Sequence, residues 1–169
     1  IIRIRRHIHQ HPELSFNEIK TSEFIQTELN KIGVPFTAGH VKTGIIGTIE
    51  GKDPQSKTIL LRADIDALPI QEENDVEYKS MADGVMHACG HDAHSASLLG
   101  AALILNQLKN DFSGTIKLLF QPAEEKLPGG AKLLIDEGII KEINPNCCIA
   151  QHVYPELPAG KVGFKKGVY

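Results

Sequence analysis

Cys89 and His91 are separated by one glycine, a spacing at which a thiolate and an imidazole can reach the same metal ion. They lie in residues 86–95, which also contain two further histidines and an aspartate. The apolar run that follows, at 96–108, is typical of a buried helix. The cluster is therefore predicted in the loop that enters a helix N-terminus, where the exposed N–H groups and the helix dipole favour the thiolate form of Cys89. The alternative is a buried cysteine beside surface histidines.

Further ionisable side chains follow predicted strands: Asp64 and Asp66, Glu124 and Glu125, and His152. The strands in question are predicted at 58–62, 114–120 and 147–152, from their β-branched and apolar residues. Open α/β sheets place their sites at the carboxyl ends of strands. Because parallel strands would bring these ends to one edge of the sheet, we expect the groups to meet there. Ordinary turn chemistry is the alternative for the two aspartates.

The candidate ligands form a set of one sulfur, two nitrogens and one oxygen: Cys89, His91, Glu125 and His152. Thiolate and imidazole suit Zn, Co, Ni or Fe, and the carboxylate leaves Mn possible. A structural zinc site is usually closed by cysteine and histidine alone, so it would not need the adjacent Glu124. A hydrolytic site would need it, because a carboxylate beside a metal can take the proton of a water molecule. Taken alone, the glutamate pair would more commonly be a solvated acidic pair.

The elements that must position these groups alternate between helices and strands. A first helix is indicated by isoleucines at helical spacing in residues 1–8, and it ends at Pro12. His7, His9 and His11 are interpreted as a polar helix end. Ser15 is predicted to cap a second helix, in a capping box with Glu18. Leu14 and Ile19 would form its hydrophobic staple. Phe16 is expected on its apolar face and Gly33 at its end.

The remaining predicted elements are strands at 44–49 and 160–164, a surface loop at 71–85, and a helix at 131–137. The run Ile59–Leu61 is apolar at every position, which favours a central strand covered on both faces. The fold class predicted from this alternation is α/β, with a mainly parallel or mixed sheet between two helical layers.

Composition gives no support to several function classes. The chain has 169 residues and a net charge of −3, which gives no argument for binding nucleic acid or an anionic membrane. It contains no apolar run long enough to span a bilayer and opens with no secretory signal pattern. The three cysteines form no disulfide framework, so a reducing, cytoplasmic setting is expected.

Four segments resemble, in order, the amidohydrolase branch of the M20 metallopeptidase family. They are Arg-Ala-Asp-Ile-Asp-Ala-Leu-Pro at 62–69, His-Ala-Cys-Gly-His-Asp-Ala-His at 87–94, Phe-Gln-Pro-Ala-Glu-Glu at 120–125 and Gln-His-Val-Tyr-Pro at 151–155. His-Pro-Glu-Leu-Ser at 11–15 is similar to the same branch near its N-terminus. The branch includes N-acyl-amino-acid amidohydrolases, hippurate hydrolases and indole-acetyl-amino-acid hydrolases.

The resemblance implies a zinc-peptidase-like catalytic domain that holds two divalent ions, Zn, Mn, Co or Ni, and hydrolyses the amide bond of a small-molecule N-acyl amino acid. It implies that the four candidate ligands hold the metals, and that Glu124 takes the proton from water and passes it to the leaving amine. Asp66 matches a carboxylate that supports the metal site, so it is included with Glu124 among the candidate catalytic residues. Asp64 stands where peptidase relatives carry a ligand histidine.

Family members continue into a lid or dimerisation domain and then complete the catalytic domain with one more ligand histidine. Residues 1–169 are accordingly expected to be the N-terminal portion of that domain, with Lys165–Tyr169 beginning a further segment. On this expectation the fragment alone is inactive, while the intact protein is a homodimer or higher oligomer. The alternatives are a dipeptidase- or carboxypeptidase-type M20 enzyme and a non-catalytic metal-binding module.

Overall fold

The computed structural model describes residues 1–164, 166 and 167. Five helices and five strands lie in this part of the chain. In chain order they are α1 (Ile2–Gln10), α2 (Ile19–Ile32), β1 (Phe36–His40), β2 (Gly44–Glu50), β3 (Thr58–Asp64), α3 (His91–Gln107), β4 (Thr115–Gln121), α4 (Gly130–Asp136), α5 (Ile139–Ile143) and β5 (Cys147–Ala150). None of the helices within the described residues combines the length and apolar character needed to cross a bilayer.

The strands form one mixed sheet in the order β1-β2-β4-β3-β5. β1 pairs antiparallel with β2, and β2 pairs antiparallel with β4. β3 pairs parallel with both β4 and β5. The connection from β3 to β4 passes through α3, and that from β4 to β5 passes through α4 and α5, which allows all three strands to run in the same direction. The carboxyl ends of β3, β4 and β5 therefore lie at one edge of the sheet.

Helices cover both faces of the sheet, which confirms the predicted α/β class. One core cluster joins α2 and α3 to one face and includes Leu29, Leu99 and Leu118. A second cluster joins α4 and α5 to the other face and includes Leu119 and Leu134. Adjacent residues of β4 thus enter different cores, because successive side chains of a strand point to opposite faces. This explains why apolar residues stand at successive positions of β4, as in the run at 118–120.

The predicted cap of the second helix is wrong. α2 begins at Ile19, and its N-cap residue is Glu18 rather than Ser15. Phe16 precedes the helix in the left-handed region, at φ 67°. The staple is also absent, since Ile19 is 58% exposed. Ser15 does not cap the helix because its hydroxyl donates a hydrogen bond to Asp66, 51 residues further along the chain.

Other boundaries differ from the predicted ones. The strand expected at 160–164 is not formed: Val162 and Phe164 are about nine-tenths exposed and pair with no strand of the described chain. β5 ends at Ala150, so His152 lies in the loop after it. β1 and α5 were not predicted, and α3 begins at His91 rather than at residue 96. Lys165, Val168 and Tyr169 lie outside the described residues, and with them the expected start of a further segment.

Candidate metal centre

Parallel pairing brings the predicted groups to one edge of the sheet. Asp64, the last residue of β3, is in register with Gln121, the last residue of β4. The Ile65 N–H donates to the carbonyl oxygen of Gln121, which ties together the two segments that leave the sheet. The loop after β4 carries Glu124 and Glu125, and α3 starts beside it. The predicted ligands and carboxylates therefore reach the same region from the ends of three strands and the start of α3.

His91 is the centre of this arrangement. It is buried, and its Nδ1–H donates to the carbonyl oxygen of Asp66 at 2.8 Å, with the Asp66 carboxylate 3.3 Å away. In the neutral ring, Nε2 then carries the lone pair. Nε2 has no hydrogen-bond partner within the described residues and lies 3.7 Å from carboxylate oxygens of both Asp64 and Glu125.

This environment requires positive charge. A lone pair that faces two carboxylates is repelled unless the ring is protonated or a cation lies between them. Burial lowers the pKa of His91, but Asp66 and Asp64 outweigh that effect and raise it. A divalent cation at Nε2 would satisfy the same requirement, and a backbone carbonyl that fixes the opposite nitrogen is the usual support of a ligand histidine. The donor set therefore fits a metal ion.

Cys89 and His152 complete one set of possible ligands with His91. The Cys89 Sγ lies 3.3 Å from the His152 Nε2, and one donor atom from each of the three residues lies within 4.8 Å of the others. Gly90 makes this approach possible, because it adopts φ 84° and a Cβ there would lie 2.3 Å from Val153. The structure thus brings together two residues that are 63 positions apart in sequence.

The thiolate form of Cys89 predicted from the helix N-terminus is not favoured by the protein groups around it. Burial, a hydrogen bond to Glu125 and the negative charges of Glu125 and Asp64 raise the pKa of the Cys89 thiol to about 12. Burial and these nearby carboxylates both act against the thiolate, in the opposite direction to the helix dipole. Binding of a cation at Cys89 would have to displace this proton, so metal affinity should rise with pH.

Glu124 and Glu125 form a second set with His91, again with one atom from each within 4.8 Å of the others. Glu124 is exposed, whereas the Glu125 side chain is half-buried against His91. The Glu125 N–H donates to the Asp66 carboxylate at 3.0 Å. Asp66 thus contacts both His91 and the loop that carries the glutamates. Burial raises the pKa of Asp66, but hydrogen bonds from His91, Ser15 and the loop backbone lower it to about 2.

His94 was missed by the sequence reasoning. It is buried, its Nδ1–H donates to Asp64 at 2.6 Å, and its Nε2 accepts from the Val153 N–H at 2.9 Å. Asp64, His91 and His94 form a third set of close donor atoms. The available signal was helical spacing, because residues three apart on α3 share a face. His94 therefore connects the end of β3 to the loop that carries His152.

His9 is not part of a polar helix end, as was expected. It is 3% exposed, and its two ring nitrogens bond to the carboxylates of Asp92 at 2.7 Å and Glu72 at 3.1 Å. Both partners are acceptors, so the two nitrogens can donate to them together only when the ring is protonated, and the hydrogen bond to Asp92 raises the pKa of His9 despite burial. Glu72 is also buried, although it belongs to the predicted surface loop. These partners are 83 and 63 positions away, so no local pattern indicates them.

The motifs and the geometry can be compared with known proteins. Residues 60–167 match the sequence model of peptidase family M20/M25/M40. The chain belongs to this family. Among M20 relatives, it is 44% identical over 167 residues to an N-acyl-L-amino acid amidohydrolase of Geobacillus stearothermophilus, covering 99% of the chain and 44% of the relative. It is 46% identical over 169 residues to thermostable carboxypeptidase 2 of Saccharolobus solfataricus, covering 99% and 42% respectively.

The M20 fold is also evident in solved structures. A dinuclear metal-binding peptidase of the M20 family from Bacillus subtilis superposes with a TM-score of 0.92 at 41% identity, covering 98% of the chain and 46% of that structure. The chain thus spans less than half the length of the M20 proteins it matches. The family resemblance carried by the sequence motifs is confirmed.

Proposed function

We propose that this chain supplies metal ligands and the general base of a hydrolase that cleaves the amide bond of N-acyl amino acids, giving a carboxylic acid and a free amino acid. The observation that carries the proposal is the buried His91 Nε2, which faces carboxylates and lies beside Cys89, His152 and two glutamates. The named activity of the Geobacillus stearothermophilus relative supports the substrate class.

The proposed cofactor is a pair of divalent ions, Zn, Mn, Co or Ni, held by Cys89, His91, Glu125 and His152. The dinuclear site of the M20 structural relative and the mixed sulfur, nitrogen and oxygen donors support this assignment. Such ions lower the pKa of a bound water and polarise a carbonyl oxygen. The side chains of the protein would hold the ions and move the proton.

Glu124 is proposed as the general base. It is exposed and lies beside His91; in the proposed reaction it takes a proton from the attacking water and delivers it to the leaving amine. Asp66 is proposed to support the site around Glu124. The Asp66 carboxylate accepts a hydrogen bond from the Glu125 N–H, and the Asp66 carbonyl oxygen accepts one from the His91 ring. The carboxylate stays ionised in this role, since its pKa is about 2.

A carboxypeptidase-type activity is the second candidate. It is favoured by the 46% identity to thermostable carboxypeptidase 2. Both reactions hydrolyse an amide next to a carboxylate-bearing residue, so the same ligands and base would serve either one.

The setting proposed for the protein is cytoplasmic, and its assembly a homodimer or higher oligomer. The cysteines are all unpaired, and a thiolate ligand at Cys89 is best kept reduced. Association is supported by exposed apolar side chains, among them Leu127, Val162 and Phe164, each about nine-tenths exposed.

The test is an assay of the full-length protein, loaded in turn with each of the four metals. N-acetyl and N-benzoyl amino acids are compared with dipeptides and longer peptides, and release of free amino acid is measured. We expect metal-dependent turnover with the N-acyl amino acids preferred, and loss of turnover with a chelator. Preference for peptides would favour the carboxypeptidase, and a metal-loaded protein that cleaves neither class would refute a hydrolase.

A further inference from the structure

Glu18 is a fully buried carboxylate that accepts three hydrogen bonds. Its Oε1 accepts from the backbone N–H of Phe16 at 3.0 Å and from that of Ala123 at 2.8 Å. Its Oε2 accepts from the Thr43 hydroxyl at 2.7 Å. The bond to Ala123 joins positions 105 residues apart, and it ends one residue before the glutamate pair of the candidate metal centre.

Ala123 adopts a backbone conformation that it does not favour. Its φ is 50°, in the left-handed region, where a non-glycine residue is held only by its surroundings at a cost of about 1–3 kcal/mol. Its N–H is bound by Glu18, and its carbonyl oxygen accepts from the Gly130 N–H at 2.8 Å. The peptide groups on both sides of this strained residue are thus fixed.

A second contact holds the same loop from the same side. The Ser15 hydroxyl donates to the Asp66 carboxylate at 2.6 Å, and that carboxylate accepts the Glu125 N–H at 3.0 Å. Residues 15–18 therefore fasten the loop at two points, Ala123 directly and Glu125 through Asp66. The side chains that a capping box would have used for α2 serve the glutamate loop instead.

We propose that Glu18 is a positioning residue for the hydrolytic centre: it holds Ala123 in the left-handed conformation and so directs Glu124 and Glu125 towards His91. The inference rests on the function proposed above, since it assigns Glu18 a role in that reaction. Glu18 acts through hydrogen-bond acceptance and not through its charge. A glutamine could keep Oε1 on both N–H groups and donate from its amide nitrogen to the Thr43 oxygen.

The test compares Glu18→Gln and Glu18→Ala in the full-length protein. Glu18→Ala leaves the buried N–H of Ala123 and the partly buried N–H of Phe16 without their acceptor. We expect kcat to fall about 100-fold with a smaller change in KM, because small displacements of reacting groups are that costly. We also expect faster hydrogen exchange of peptides that contain Ala123 and an altered absorption spectrum of the Co²⁺ form. In Glu18→Gln, by contrast, kcat, hydrogen exchange near Ala123 and the Co²⁺ spectrum should all stay close to those of the wild type.

The matched control is Glu28→Ala on the same helix. Glu28 is also buried and is bonded to Arg3 and Lys31, remote from the glutamate loop. We expect it to lower the free energy of unfolding and leave kcat and the Co²⁺ spectrum unchanged. If Glu18→Ala changes only stability, as this control does, or if Glu18→Gln loses as much activity as Glu18→Ala, the positioning role is refuted.

Two further measurements keep the outcome decisive. If Glu18→Ala yields no folded protein, Thr43→Val is tested in its place, because it removes the hydrogen bond from the Thr43 hydroxyl to Glu18. If hydrogen exchange at Ala123 and kcat are both unchanged in this variant, the proposal is overturned. If the wild-type protein hydrolyses no amide, the proposed function fails. Hydrogen exchange and the Co²⁺ spectrum then test the positioning role alone, because neither depends on turnover.

Discussion

Exchange of Glu124 and Glu125 for glutamine, one at a time, separates the two adjacent carboxylates by role. Glu124→Gln keeps the size and shape of the side chain but removes its ability to take a proton. Glu125→Gln replaces a carboxylate proposed as a metal ligand, whose Oε1 lies 3.7 Å from the His91 Nε2 and whose backbone N–H donates to Asp66. The first change should therefore affect catalysis, and the second should affect metal binding.

The expected magnitudes follow from these positions. General-base catalysis contributes roughly 10²–10⁴-fold, which corresponds to about 3–5 kcal/mol of transition-state stabilisation. In Glu124→Gln, kcat should fall by that factor, while the proposed ligands Cys89, His91, Glu125 and His152 should still hold the metal. KM should change less, because Glu124 acts on the water rather than on the amino-acid carboxylate.

The assay measures kcat and KM on an N-acyl amino acid and metal content by elemental analysis, in the full-length protein. Glu124→Gln should keep near wild-type metal content, whereas Glu125→Gln should lose metal and activity together. If Glu124→Gln loses the metal and Glu125→Gln keeps it, the two roles are reversed. If neither change lowers kcat more than about tenfold, the hydrolytic mechanism is wrong.

Three other substitutions test the structure around the site. Gly130→Ala should abolish activity and lower stability, because the new Cβ would lie 1.9 Å from the carbonyl oxygen of Pro122 and would displace the glutamate loop; kcat and the melting temperature measure this. His9→Asn should destabilise the protein most at low pH. The pKa of His9 is raised above 6.5 by Asp92, so its stabilising charge is fully present below that pH and is lost as pH rises through the folded-state pKa; urea unfolding across pH measures this. Leu118→Ala, at a fully buried position of β4, should cost about 2–5 kcal/mol in the same unfolding assay.

Each of these three has a matched control. Gly163→Ala places a Cβ 3.7 Å from its nearest neighbour and should be neutral. His11→Asn changes an exposed histidine just beyond α1, and Leu103→Ala truncates a leucine that is 45% exposed. The packing described above would be contradicted by any of three results. These are an active Gly130→Ala variant, a stability loss in His9→Asn that does not depend on pH, and a loss of stability in Leu118→Ala no larger than in its control.

Much of the fold could be predicted from local patterns in the sequence. The continuous apolar character of Ile59–Leu61 indicated a strand covered on both faces; Leu60 and Leu61 do enter the two different cores, although Ile59 is 37% exposed. The strand followed by Glu124 and Glu125 was placed within one residue of β4. These predictions succeeded because alternation, apolar runs and turn residues act over a few positions, which is the range that a sequence pattern describes.

Other features were set by contacts between distant residues. The segment between β2 and β3 gives no sign that β4 lies between these two strands in the sheet. Strand order is decided by how the sheet buries both of its faces. The residues at 160–164 have a strand-like composition but form no strand, since a strand needs a partner for its backbone groups.

The candidate site divides in the same way. The sequence by itself determined which residue types could bind a metal and take a proton, and its motifs determined the family. Only the tertiary structure assigned Ser15 and Glu18 to the glutamate loop, His94 to Asp64, and His9 to two buried carboxylates. The physical reason is that a buried polar group must find a hydrogen-bond partner wherever the fold places one. For these side chains that partner is between 30 and 105 residues away, beyond the reach of any local pattern.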